Sequence, residues 1–173
     1  MKDVEGAQKL ERVYLVLGGS SREAADSLTL DHAHIVYNDS YGTGCASSLL
    51  AGLDAAGACD GIVMLLGDMP GVTSKIIDEV VSDWRRLPSW AAVTSYRGRL
   101  GHPFIFESSS FGELRQLHGD KAVWKIVDSA SADRLRHIPV DENLPRDVDT
   151  WADYEAACAS FNFPIVDAEE PPI

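Results

Sequence analysis

Apolar runs of strand length recur along the chain, separated by glycine-rich or polar turns and by stretches with helical spacing. Ile62 to Leu66 is unbroken by any polar position, as expected of a strand covered on both faces of a parallel sheet. Arg12 to Leu17, Ala33 to Tyr37 and Trp90 to Tyr96 predict three more strands, and Phe104 to Phe106 a short apolar one. Leu135 to Val140 predicts an edge strand, because Pro139 has no N–H to give to a ladder. Ile76, Ile77, Val80, Val81 and Trp84 fall on one helical face behind Thr73, a natural N-cap. A second helix is predicted from Ser47 through Leu49, Leu50, Leu53 and Ala56, and a third from Trp151 to Phe161. Short helices are expected behind Ser21 as N-cap (Arg22 to Ala25, with Leu28), from Phe111 to Leu117 and from Ala122 to Val127. Met1 to Glu11 reads as polar and irregular. Strands alternating with helices mean right-handed βαβ units and a mostly parallel sheet in an α/β fold. Residues 1–164 form one domain in this reading, followed by an acidic, proline-containing tail, 165–173, that is solvated and disordered.

Composition narrows the partners. With 173 residues, 45% hydrophobic and 24% charged, the chain can bury a substantial core. A net charge of −12 argues against binding nucleic acid or an anionic membrane surface. It does not argue against a nucleotide, whose charge Mg²⁺ and a few local donors can neutralise. Cys45, Cys59 and Cys158 fit neither a zinc ribbon nor a disulfide framework. The chain shows no signal peptide and no apolar run near ~18 residues, so the expected compartment is the cytoplasm.

The chemistry centres on Gly67-Asp68-Met69-Pro70, which follows the most apolar strand. Carboxyl ends of strands in an open α/β sheet face the ligand crevice. A carboxylate there, beside a glycine that admits a phosphate, suits Mg²⁺ carrying a nucleotide; alternatively Asp68 bonds turn amides. Gly42-Thr-Gly-Cys-Ala-Ser-Ser48 runs into a helix whose first N–H groups, with the Ser47 or Ser48 hydroxyl, can bind an anion or a base edge. Its plain reading is a loop with Ser47 as N-cap. In Asp147-Val148-Asp149-Thr150, Val148 is expected to point into the core and both carboxylates away from it, giving a second candidate metal ligand; Asp149 or Thr150 also suits the start of the last helix. Gly101-His102-Pro103 and Gly119-Asp120-Lys121 are candidate acceptor-side loops, with His102 equally suited to a turn.

Val16-Leu17-Gly18, Asn38 with Gly44, Ser47-Ser48-Leu49-Leu50-Ala51-Gly52-Leu53, Leu66-Gly67-Asp68-Met69-Pro70, Gly101-His102-Pro103, Leu117-His118-Gly119-Asp120-Lys121 and Asp147-Val148-Asp149-Thr150 occur in this order between Arg12 and Tyr154. The ordered set resembles the MobA-like NTP transferase family, the molybdenum-cofactor cytidylyl- and guanylyltransferases, and the Gly-His-Pro and Ser-Ser-Leu elements lean toward the cytidylyl branch. The resemblance implies a Rossmann-like, three-layer, mostly parallel nucleotidyltransferase sheet. It implies transfer of CMP or GMP from CTP or GTP to the phosphate of a molybdopterin-type acceptor, releasing pyrophosphate, with a molybdenum hydroxylase as a further partner. Asp68 would be catalytic and hold Mg²⁺, with Asp149 the second carboxylate and Asp147 the lesser candidate. Gly67, Ser47 and Ser48 would meet the nucleotide, and Gly101, His102, Pro103 and Asp120 the acceptor. The family opens with a strand and a loop of the form L-A-x-G-x-S-x-R-x-G-x-x-K that holds the triphosphate. Here Arg22 comes one residue early for that pattern when counted from Gly19, and no lysine follows until Lys75. The first βα unit is therefore expected to be missing, which leaves a strand edge open to self-association. Two functions follow: a transferase that is inactive in this form alone, or a non-catalytic protein that binds molybdopterin or assists enzyme maturation.

Overall fold

The computed structural model describes residues 2–19, 21, 25, 28–120 and 122–165. Most of the helix expected behind Ser21, and the tail from residue 166, lie outside them. In chain order the elements are α1 (Lys2–Gly6), β1 (Val13–Leu17), β2 (Ala33–Tyr37), α2 (Cys45–Ala56), β3 (Gly61–Met64), α3 (Ser74–Arg86), β4 (Ala91–Tyr96), β5 (Arg99–Glu107), α4 (Phe111–Leu114), α5 (Ala122–Ser129), β6 (Leu135–Val140) and α6 (Trp151–Phe161). Among the described residues no helix is long and apolar enough to cross a membrane.

β1 and β2 pair in parallel, Val13 opposite Ala33 through Leu17 opposite Tyr37. The larger sheet has the order β3-β5-β4-β6. Both β3 and β4 run antiparallel to β5 and hence parallel to each other, and β4 pairs in parallel with β6, which is an edge strand as Pro139 predicts. The domain is thus a Rossmann-like α/β fold with a mostly parallel sheet and one reversed strand. That strand differs from the expectation of a short segment at Phe104 to Phe106: it runs over 9 residues. Arg97 (φ 47°) and Gly98 (φ 89°) make a two-residue left-handed turn that folds β4 directly back on itself. β3 stops at Met64, not Leu66, so Leu65 and Leu66 already belong to the exit loop.

Side chains alternate across the sheet with period two. Ala92, Ile105 and Ile138 pack on one face against Ile76, Ile77, Val80, Val81 and Trp84 of α3. Ala91, Val93, Phe104, Phe106 and Leu135 pack on the other against Leu53 of α2 and Val123 and Val127 of α5. α3 starts where predicted, the Thr73 hydroxyl accepting the Ile76 N–H at 3.4 Å. The N-terminus is more ordered than its polarity suggests. Glu5 Oε1 accepts the N–H groups of Asp31, His32 and Ala33 at 2.9, 2.7 and 2.7 Å, tying α1 to the start of β2. Among the described residues the strands divide into two sheets, so β1 and β2 each keep an unpaired side, as do β3 and β6. All of β3, and all of β1 except Leu17, stay part-exposed although apolar.

Candidate active site

The carboxyl ends of β3 and β4 point the same way, and the loop leaving β3 carries Gly67 and Asp68. Buried Met69 anchors this loop and its carbonyl accepts the Val72 N–H at 3.2 Å, so Asp68 is held outward on a fixed turn. The Asp68 carbonyl accepts the Val148 N–H at 2.9 Å, which brings a segment eighty positions away alongside it. That segment, the strap following β6, lies flat because glycines make room for it. A Cβ on Gly101 would sit 2.3 Å from Leu144 Cδ1, and one on Gly71 3.0 Å from Pro145 Cβ.

Val148 is not a core residue, contrary to the alternation argument. It is half-buried and lines a cavity beside Asp68, because its backbone docks on the β3 exit loop and not on the sheet. Asp147 and Asp149 are exposed on the strap, as expected. Burial, and then the negative charges of Asp68 and Asp149, push the Asp147 carboxyl above its ordinary value. At the strand exit Asp147 therefore feels the charges of both other carboxylates. Among the described residues no group of three or more His, Cys, Asp or Glu side chains is arranged to hold a metal by itself.

The N-terminus of α2 lies within reach of the Asp68 charge, which acts on Cys45. The helix starts at Cys45, two residues before the expected start at Ser47, with Gly44 as N-cap (φ 109°, ψ 167°). A Cβ on Gly44 would come within 2.6 Å of the Gly119 carbonyl carbon, so the two glycine loops pack backbone to backbone. The Cys45 N–H donates to Asp120 Oδ1 at 3.1 Å and the Ala46 N–H to the Gly119 carbonyl at 3.3 Å. Asp120, a predicted acceptor contact, thus caps α2 from a distant loop. Ser47 does not cap: its hydroxyl donates to the Gly44 carbonyl at 2.9 Å and accepts from Asn38 Nδ2 at 2.8 Å. The same nitrogen donates to Ser48 Oγ at 3.0 Å. Buried Asn38 therefore orients both hydroxyls. Burial first, then the hydrogen bond and charge of Asp120 and the charge of Asp68, push the Cys45 thiol up, so it stays protonated at neutral pH.

Gly101, His102 and Pro103 lie inside β5, not in a loop. Val93 is opposite Phe104 and Thr94 opposite Gly101, so His102 and Pro103 form a bulge, joined by a cis peptide bond. Their carbonyls, lost to the ladder, are taken by side chains: Tyr96 Oη donates to the His102 carbonyl at 2.5 Å and Thr94 Oγ1 to the Pro103 carbonyl at 2.8 Å. Such bulges re-aim side chains next to sites. The His102 ring is buried, edge-on to Phe104 and Trp124 at centroid distances of 4.5 and 6.4 Å, and among the described residues its Nε2 has no partner. Burial lowers its pKa to about 4, so it is neutral at pH 7.

Two hollows open near this end of the sheet. One of about 370 Å³ lies between Arg97 and Asp141, contains none of the three carboxylates, and is spanned by their ion pair at 2.8 Å. The other, of about 300 Å³, lies between Gly67, Asp68, Pro70 and Val148 on one side and Tyr154, Ala157, Cys158, Phe161 and Phe163 on the other. The second wall was not singled out in the sequence, although Tyr154, Ala157, Cys158 and Phe161 have the spacing of one helical face.

A parallel-stranded α/β domain with carboxylates at a strand exit and oriented hydroxyls at a neighbouring helix start has the architecture of nucleotidyltransferases. The chain belongs to the MobA-like NTP transferase family, whose profile matches residues 3–137. Among solved structures it is similar to the homolog of Mycobacterium tuberculosis Rv0371c from Mycobacterium sp. strain JC1, at 39% identity and TM-score 0.77, over 87% of this chain and 75% of that one. It is also similar to Rv0371c from M. tuberculosis H37Rv in complex with manganese, at 30% identity and TM-score 0.72, over 91% and 84% of the two chains. A CMP:2-keto-3-deoxy-manno-octonic acid synthetase complexed with CTP shares the fold, at 13% identity and TM-score 0.70, over 93% and 85%. No curated protein matches the chain.

Proposed function

We propose that this protein is a nucleotidyltransferase that moves CMP, or GMP, from an NTP to the phosphate of a molybdopterin-type acceptor. The observation that carries the reading is the Val148–Asp68 backbone bond, which joins Asp149 and Asp147 to Asp68 at the exit of β3 in a chain of this family. An acceptor phosphate oxygen forms a bond to the α-phosphorus while the bond from that phosphorus to the bridging oxygen breaks, and pyrophosphate leaves with the electron pair. The chain's task is positioning and charge neutralisation, for which no activated nucleophile is needed.

The oxygen-rich set of Asp68, Asp149 and, less directly, Asp147 fits a hard cation. Two carboxylates suffice, because Mg²⁺ keeps waters and takes its remaining ligands from phosphates. When bound, Mg²⁺ would neutralise the developing charge on the transferred phosphate. Gly67 leaves the approach to Asp68 open, with nothing within 4 Å of where a Cβ would stand. Ser47 and Ser48, oriented by Asn38, would meet the base or ribose. His102 and Pro103, on the bulge at the same end of the sheet, would shape the acceptor side from behind, with Gly101 seating the strap and Asp120 holding α2.

A second reading rests on the loop after β1. Ser21 Oγ donates to the Gly18 carbonyl at 2.5 Å and accepts the Gly18 N–H at 3.0 Å, so the loop spends these groups on itself and not on a triphosphate. In that reading the protein binds a molybdopterin-type cofactor, or the molybdenum hydroxylase it serves, without turnover. Calorimetric titration with CTP and GTP, with and without Mg²⁺, in the wild type and Asp68→Ala separates the two. Mg²⁺-dependent binding lost in Asp68→Ala supports the transferase; cofactor binding with no heat from either nucleotide selects the second reading.

A further inference from the structure

α6 ends in a way that builds a wall. Its start is fixed by a capping box, Thr150 Oγ1 accepting the Asp153 N–H at 3.2 Å and Asp153 Oδ2 accepting the Thr150 N–H at 2.9 Å. Its end turns through Asn162, left-handed at φ 55°, and the Phe163 N–H bonds back to the Cys158 carbonyl at 2.9 Å. This turn returns Phe163 to the face already formed by Tyr154, Ala157, Cys158 and Phe161. A helix that docked only for stability would close that face on the body. Here the face stands off the β3 exit loop across about 300 Å³, with Phe161 41% and Phe163 67% exposed.

Besides Asp68, Gly67 and the Cys158 thiol, the lining is aromatic and aliphatic, and a volume near 300 Å³ lies at the small end of the usual ligand-pocket range. Flat π-faces on one wall favour a planar ring over a branched aliphatic group. Asp68 lines this hollow, and its charge also reaches Cys45 at the start of α2.

We propose that the hollow between the β3 exit loop and α6 is the seat of the acceptor: it takes the planar ring of a phosphate-bearing molecule, stacked on Phe161 and Phe163, with the phosphate end toward Asp68. The proposal rests on the nucleotidyltransferase reading and adds where the acceptor ring lies. The bulge at His102 and the Asp120 cap then support the site without touching the ring.

The test uses 1-naphthyl phosphate, a planar bicycle carrying one phosphate, titrated calorimetrically into the chain with Mg²⁺, with 1-naphthol and inorganic phosphate as controls. The wild type binds the ester more tightly than either control. Phe161→Ala removes a stacking face and Ala157→Trp fills the hollow, and each weakens the ester at least tenfold while circular dichroism and melting temperature show an intact fold. Absence of ester binding in the wild type, or equal binding by both variants, overturns the proposal. CTP titrated into the wild type and Asp68→Ala reports separately on the underlying reading. A chain that binds CTP through Asp68 but ignores the ester loses this proposal and keeps that reading; one that binds neither loses both.

Discussion

Replacing His102 with phenylalanine should remove most of the protein's loss of stability under mild acid. In the folded state burial lowers the His102 pKa to about 4 from its ordinary value of 6.5, with no partner on Nε2 among the described residues to offset the lost hydration. Between those two values the unfolded chain binds a proton that the folded chain refuses, so stability falls as pH falls through the window and levels off below it. At about 1.4 kcal/mol per tenfold difference in proton affinity, the full effect is on the order of 3 kcal/mol, and about 2 kcal/mol of it develops between pH 7 and pH 5. Phenylalanine keeps a ring against Phe104 and Trp124 but cannot be protonated. Glu5, Asp133 and Asp153 have carboxyls held below their ordinary values by hydrogen bonds, so their stabilising contributions fade only under stronger acid. Urea unfolding followed by tryptophan fluorescence at both pH values, on the wild type and His102→Phe, reads the difference. The wild type should lose about 2 kcal/mol more than the variant. Equal losses, within about 0.5 kcal/mol, would refute the claim that His102 is neutral and dehydrated in the fold.

Tyr96→Phe leaves the buried His102 carbonyl without its donor and should cost about 1–3 kcal/mol in urea unfolding at pH 7, the penalty of an unmade buried hydrogen bond. Gly44→Ala places a Cβ 2.6 Å from the Gly119 backbone at a φ of 109°, and should cost about 2–4 kcal/mol by the same measurement. An unchanged midpoint would mean the two glycine loops do not pack as described. Glu5→Ala removes the acceptor shared by Asp31, His32 and Ala33, and should speed amide hydrogen exchange at those three residues while leaving β4 protected. Asp149→Ala should weaken Mg²⁺-dependent nucleotide binding less than Asp68→Ala in calorimetry, since Asp68 lies on the anchored turn and Asp149 on the strap.

Much of this protein is readable in one dimension. β2 and β6 have their predicted bounds, and α3 lies behind Thr73, because five-residue apolar runs and an amphipathic period are local properties of the chain. The position of Asp68 after an apolar strand is legible for the same reason, and the ordered motifs point to the family that residues 3–137 match. What local pattern does not hold is anything made by two distant segments. The reversed strand β5 was hidden because its pairing depends on a turn at Arg97 and Gly98 and on partners in β3 and β4. Val148 looked like a core residue by alternation, but its N–H docks on Asp68, and that bond decides which way its side chain faces. Asp120 caps a helix that starts 75 positions earlier, and His102 sits in a strand because Tyr96 and Thr94 take up the carbonyls of its bulge. The aromatic hollow is the clearest case. Each wall is a plain helix face or turn in the sequence, and only the tertiary structure, by holding the two apart beside a carboxylate, makes a space between them.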